Sequence, residues 1–208
     1  MDPNHTFTSS FEAYHASKLL ADQASTRFLE TRNPDFSIIT IHPSFIFGRN
    51  LLQRTIQELG GTNGLMWMSL TSPQPAVAPR GVHVLDVAEA HVKALTADVP
   101  SGSKFLLTAP AFSWNEAANF VKEKYPKVPV KLEKQPEKEW LIDTTRAERQ
   151  LGMKWRGWRE FVGGVARRLE GSRASSRSSC HAQHTRIVVA IQGRRRACFC
   201  SSLLAPVT

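Results

Sequence analysis

Cysteine is scarce in this chain, and its distribution is uneven. Only three stand among 208 residues, Cys180, Cys198 and Cys200, so nothing before residue 180 is a cysteine. The first 170 residues can hold neither a disulfide framework nor a thiolate metal site. The "CFC" pair with His181 and His184 matches no metal-ligand spacing, and no metal site is assigned. Long apolar runs are missing too. None approaches the roughly 18 to 20 residues needed to cross a bilayer. The opening "MDPNHTFTSS" has no basic start followed by an apolar core, so no secretory signal and a cytoplasmic location are expected.

Acidic residues are absent from residues 171–208, which carry six arginines. The formal charge of +9 is therefore concentrated: 21 basic and 18 acidic residues nearly balance over residues 1–170. That balance gives no general nucleic-acid surface. The tail, "GSRASSRSSCHAQHTRIVVAIQGRRRACFCSSLLAPVT", also breaks the patterning of the body, and its "IVVAI" suggests a short strand at most. A basic arm for nucleic acid or an acidic membrane is one explanation. The abrupt change in composition favours the other: non-native sequence, such as a translated intron or shifted frame, largely without structure. No specific nucleic-acid partner and no membrane association are expected.

The body alternates helix and strand patterns, with no internal repeat. Ser9 and Glu12 form a capping box, and Leu19, Leu20, Ala24 and Phe28 recur at helical spacing to about residue 31. "FSIITIH" (36–42) is β-branched and almost wholly apolar, as in a strand of a parallel sheet buried on both faces. A helix is expected at "LLQRTIQEL", and a loop over residues 60–80, where Trp67 and Met68 are pocket-wall candidates. "VHVLDVAEAHVKALTA" starts as a strand, with Asp86 placed to cap the following helix. "SKFLLTA" is a strand, and Ser113 with Glu116 caps "WNEAANFVKEKY". "VPVKLE" is a strand candidate. Asp143 caps a short helix that stops at Gly152, and "WREFVGGVARRLE" is a final amphipathic helix. Strands alternating with helices predict an α/β fold.

One stretch carries chemistry. In "YHASK", Tyr14 and Lys18 stand four apart and share a helix face. A nearby ammonium favours a phenolate, and a tyrosine tuned that way can give a proton to a carbonyl oxygen or take one from an alcohol. By itself the spacing fits an ordinary solvated helix face equally well.

Four segments in order add context. "AYHASKLLADQA", "IITIHPSFIFG", "VHVLDVAEAHVKAL" and "DTTRAERQLGMKW" together resemble the extended short-chain dehydrogenases/reductases of the NAD-dependent epimerase/dehydratase type, nearest to the dihydroflavonol reductase-like group. The resemblance spans roughly residues 11–170. It implies an incomplete Rossmann-like parallel sheet with the C-terminal substrate-binding part, and an NADP- or NAD-dependent oxidoreductase acting on a small carbonyl compound. Tyr14 would be the general acid/base. Lys18 would lower its pKa and hold the cofactor ribose. Pro43, Ser44 and Phe45 would form the loop beside the nicotinamide. Asp86 and His91 would be structural, with His42 an outside candidate for proton transfer.

The family's glycine-rich pyrophosphate turn should lie well upstream of the tyrosine. Only 13 residues precede Tyr14, and "GGTNG" (60–64) follows no suitable strand. The carbonyl-polarising Ser/Thr is likewise unassigned, because Thr8, Ser9 and Ser10 are too close. The chain thus resembles the C-terminal half or more of a reductase, and it is expected to be inactive alone and to have an open, apolar sheet edge. The alternatives are a non-catalytic small-molecule or protein-binding remnant, or an epimerase or dehydratase of the same family.

Overall fold

A computed structural model describes residues 6–51, 58–138, 141–170, 188–191 and 196–200. The chain is built around strand β1 (Ser37–Pro43) and the helix before it, α1 (Ser10–Arg32). The α1 start follows its capping residues: Ser9 Oγ accepts from the Glu12 N–H at 3.1 Å. The Glu12 carboxylate accepts from Thr8 N and Thr8 Oγ1, both at 2.7 Å, so the reciprocal half of the box closes on Thr8. Asn33 ends the helix in the left-handed conformation (φ 39°), its N–H bonded to the Leu29 carbonyl. Asparagine tolerates that region better than most residues.

β1 pairs in parallel with β4 (Lys104–Leu107), in the register Thr40↔Lys104 to Pro43↔Leu107. Its other edge pairs in parallel with β6 (Arg196–Cys200), which pairs antiparallel with β5 (Val188–Ile191), giving the order β4-β1-β6-β5. A separate two-stranded parallel sheet joins β2 (Ile46–Phe47) to β3 (Val82–His83). Parallel pairing in an α/β chain agrees with the sequence. The tail holds two strands where one short strand at most was expected. The rest of residues 171–208 lies outside the described residues, as does most of the helix expected at "LLQRTIQEL".

Alternation along β1 and β4 divides the sheet into two faces. Ile39, Ile41, Phe105 and Leu107 point into a core with Val87, Ala90 and Ala94 of α3 (Val84–Thr96) and Leu151 of α5 (Thr145–Leu151). Thr40, His42 and Lys104 take the opposite face, where α1 lies. A second core packs α2 (Gly61–Thr71), α4 (Trp114–Lys124) and α6 (Trp158–Glu170) around Phe47, Phe112, Trp114 and Phe161.

Three expectations are corrected. Residues 60–80 are not one loop, because α2 occupies Gly61–Thr71. Gly60, Thr62, Asn63 and Ser69 are poor helix formers, but burial of Met66 and Leu70 outweighs propensities of about 1 kcal/mol or less per residue. Residues 128–133 form no strand. Val128 and Val130 make local turns, donating to the Tyr125 and Val128 carbonyls, while Lys131 and Leu132 donate to the Leu70 carbonyl at the end of α2 and Glu133 to that of Pro73. Asp86 does not cap α3. His83 does so, Nδ1 accepting from the Leu85 N–H at 3.1 Å.

Candidate active site

Tyr14, Lys18, Asp22 and Thr26 recur every four residues and form one stripe along α1. The lower half of that stripe is tied to the sheet. Lys104 Nζ donates to Asp22 Oδ2 at 2.6 Å and to Thr26 Oγ1 at 3.2 Å. The other Asp22 oxygen stands 3.6 Å from His42 Nε2 on β1. His42 is buried, and that burial pushes its pKa below the usual histidine value; the Asp22 carboxylate opposes the shift and Lys104 adds to it.

These contacts fix the direction of α1. Leu29 lies against Gly102, whose N–H donates to the Ile38 carbonyl near the start of β1, whereas Asp22 reaches His42 near its end. The helix therefore runs antiparallel to β1. From Asp22 to Tyr14 is eight residues, about 12 Å of helix axis. From His42 to Phe45 is about 10 Å of extended chain. Tyr14 thus comes level with the residues that leave the carboxyl end of β1.

Within that upper half, Lys18 Nζ lies 5.2 Å from the centre of the Tyr14 ring, so the helix brings the two together on one face. Both are half-buried. His15 adjoins them, its ring 6.0 Å from that of Tyr14 and 4.2 Å from Phe11.

Pro43, Ser44 and Phe45 are all buried. Ser44 N donates to the Leu107 carbonyl at 2.9 Å, and the Phe45 carbonyl accepts from Val82 N at 2.9 Å. Ser44 Oγ donates to Thr108 Oγ1 at 2.9 Å, which lies 3.3 Å from the Gly81 carbonyl. This buried relay joins three chain segments, each bond contributing about 1 kcal/mol. The segment is thereby held rigid at the carboxyl ends of β1 and β4, the edge where ligands of open α/β sheets bind. The Phe45 ring points into the second core, so only the backbone here is offered outward.

The other candidates fall elsewhere. Asp86 is fully buried and accepts from the Arg156 N–H at 3.0 Å and from its guanidinium. Glu89 also approaches that guanidinium, at 3.6 Å, and the Asp86 bond raises the Arg156 pKa. This is a structural latch between α3 and the segment before α6. His91 is buried on α3, with Nδ1 2.7 Å from the Val87 carbonyl, as suits a structural residue. Trp67 packs against the second core from α2, and Met68 is exposed. Two surface hollows do not touch Tyr14: one of about 380 Å³ at Leu29, Phe36 and Ser101, and one of about 520 Å³ at Lys93, Trp155 and Arg156. No group of acidic, histidine or cysteine side chains suited to a metal occurs among the described residues, and no helix among them is long and apolar enough to cross a membrane.

Sequence reasoning missed Asp22, Thr108 and Arg156. Asp22 carried a signal, standing four residues beyond Lys18. Thr108 and Arg156 find partners 64 and 70 residues away, beyond any local pattern.

No protein-family model matches the chain. It is 40% identical over 155 residues to the ketoreductase sphI of Aspergillus fumigatus, covering 72% of this chain and 46% of that protein. It is 31% identical over 142 residues to an anthocyanidin reductase of Vitis vinifera, covering 62% of this chain and 40% of that one. Its fold is similar to that of Gre2 from Candida albicans, solved in complex with NADPH, with a TM-score of 0.67 at 23% identity over 81% of this chain and 54% of that chain. The chain spans about half the length of the curated relatives it matches. Motif order, parallel sheet and relatives agree, and over the stretch it shares with them the chain belongs to the extended short-chain dehydrogenase/reductase family.

Proposed function

We propose that this chain carries the acid/base half of a site that reduces a small carbonyl compound with NADPH or NADH. The observation that carries the reading is the Lys18 ammonium 5.2 Å from the Tyr14 ring, on the α1 face level with the carboxyl end of β1. The ketoreductase and anthocyanidin reductase relatives, and the NADPH complex of a protein of similar fold, support carbonyl reduction over the family's other reactions.

The residues suit the nicotinamide and ribose end of such a cofactor. Ser44 N and the Phe45 carbonyl are bonded within the sheet, which holds the Pro43–Phe45 backbone as a fixed wall. Lys18 is the ribose ligand. When bound, the dinucleotide supplies hydride to the carbonyl carbon. Tyr14 Oη gives its proton to the carbonyl oxygen, leaving a phenolate. The Lys18 charge favours that anion at the moment it forms, which lowers the barrier to proton transfer. No residue of this chain is assigned to the pyrophosphate, and the chain alone is inactive in this reading.

Two experiments test it. Titration of the purified chain with NADPH, followed by cofactor fluorescence, is expected to show no micromolar binding. A chimera in which residues 6–170 replace the matching stretch of the Aspergillus fumigatus ketoreductase is expected to consume NADPH with that enzyme's carbonyl substrate. Replacing Tyr14 by Phe should stop it. A folded chimera whose turnover ignores Tyr14→Phe would sink the assignment.

A further inference from the structure

Two turns below Tyr14 on the same α1 stripe, polar atoms are shut in without partners. Asp22 Oδ1 and both ring nitrogens of His42 are closed off from solvent, and no described residue hydrogen-bonds any of them. The approach of His42 Nε2 to Asp22 Oδ1, at 3.6 Å, is too long for a hydrogen bond. The other carboxylate oxygen is engaged by Lys104, which also reaches Thr26. Buried polar groups left unpaired are rare in folded chains, and each calls for a reason. A proton supplies one here. Neutral imidazole carries one N–H and imidazolium carries two, so a protonated His42 has a donor on Nε2 facing an unused carboxylate oxygen. A charged N–H···O bond of this kind closes to about 2.8 Å, which shortens the gap by about 0.8 Å. β1 is fixed by its ladder to β4, whereas α1 meets this face through side chains, so α1 is the part that moves.

We propose that His42 is a positioning residue for Tyr14: the proton it gains as pH falls is donated to Asp22 Oδ1, draws α1 toward β1 and takes Tyr14 out of line with the Pro43–Phe45 wall. A helix is a rigid element and carries such a displacement over two turns. Among the described residues, the charged groups facing His42 are Asp22 of α1 and Lys104 of β4. Burial opposes the proton, Asp22 favours it and Lys104 opposes it, and the net lowering sets the change below the ordinary value of 6.5. The arrangement with the 3.6 Å gap is thus the one held near neutral pH. A general acid holds its proton more firmly as pH falls, so Tyr14 by itself predicts no loss of reduction on the acid side. The effect on turnover rests on the proposed reduction, whereas the movement of Tyr14 does not.

The chain has two tyrosines, Tyr14 and Tyr125, and the second is buried in the other core. The full chain, carrying ring-labelled tyrosine, is followed by NMR from about pH 7.5 to about pH 4.5, with Tyr125 as the control for folding. The Tyr14 signal is expected to move with the midpoint of the His42 ring while Tyr125 stays still. His15, its ring 6.0 Å from that of Tyr14, is the competing source of such a step. The step should survive His15→Gln and be lost in His42→Gln. It should be lost as well in Asp22→Asn, which leaves the imidazolium no anion. In the ketoreductase chimera, kcat should fall at least about tenfold over the same range with the carbonyl KM unchanged, and His42→Gln should flatten the fall. A Tyr14 signal that stays still, moves together with Tyr125, or moves equally in His42→Gln or Asp22→Asn would overturn the proposal. So would an active chimera with no acid fall, or one whose fall His42→Gln leaves intact. A chimera without turnover would count against the proposed reduction, and the Tyr14 signal would then decide the movement.

Discussion

Arg156 reaches across 70 residues of sequence to the fully buried Asp86, meeting it with both its backbone N–H and its guanidinium. The two partners are unequally exposed, at 33% for the Arg156 side chain and 0% for Asp86. Their removal should therefore have unequal effects. Arg156→Ala leaves the buried carboxylate with the backbone N–H alone and without a charge partner, and should cost about 3–5 kcal/mol. Asp86→Asn leaves an arginine that can turn to water and should cost about 1.5–3 kcal/mol. Urea unfolding of the two variants should rank them in that order.

His42 makes stability depend on pH in a definite direction. Its pKa is lowered in the folded chain, so below the ordinary value of 6.5 the unfolded chain binds more protons than the folded one. Stability is fully present above that value and falls as pH drops from it toward the folded pKa. The groups facing His42 are Asp22 on α1 and Lys104 on β4. His83 is shifted the same way by burial, so it contributes a slope of the same sign. Unfolding midpoints at about pH 7.5 and about pH 5.5 should differ less in His42→Gln than in the parent. An unchanged difference would show that other groups set it.

Among the described glycines, Gly81 is the tightest. A Cβ there would strike the Phe47 ring and stand 2.9 Å from the Phe45 carbonyl oxygen. Neither can retreat: Phe47 is buried against Phe161, and the Phe45 carbonyl holds Val82 N. Gly81→Ala should destabilise the chain by about 1–3 kcal/mol through overpacking, read as a lowered thermal midpoint.

In the ketoreductase chimera, Tyr14→Phe removes the transferable proton and should lower turnover about 10²–10⁴-fold. Lys18→Met should lower it too, and should also raise the cofactor KM if Lys18 holds the ribose. Loss of turnover with cofactor KM unchanged would leave Lys18 acting on Tyr14 alone.

Much of this fold was legible because local signals and tertiary needs agree. Ser9 and Asn33 bracket α1, and the β-branched run Ile38–Ile41 could only be a buried strand. The final helix runs Trp158–Glu170, as its pattern predicts. The failures came where they disagree. Gly60, Thr62 and Asn63 resemble a loop, yet Thr62 Oγ1 bonds the Ile46 carbonyl and Asn63 bonds Gly48 on both sides of its amide, at 3.1 and 2.6 Å. These residues hold α2 against the β2 segment, a purpose visible only once distant chain is in place. Val128–Leu132 has a strand's composition, but α2 offers it helix-end carbonyls and no strand. At the proposed site, the shared helix face of Tyr14 and Lys18 was legible from spacing; the anchoring of that helix at Asp22 needed His42 and Lys104, on two strands, to be recognised.

That tether has a mechanical side. Asp22 is bonded to Lys104 of β4 and stands 3.6 Å from His42 of β1, and Tyr14 sits about 12 Å farther along the same rod. A tilt of about 5° about that fulcrum would carry Tyr14 by about 1 Å, a displacement able to slow a proton or hydride step about a hundredfold. In the proposed reaction, the aim of Tyr14 would thus depend on a carboxylate two turns away as well as on the lysine beside it.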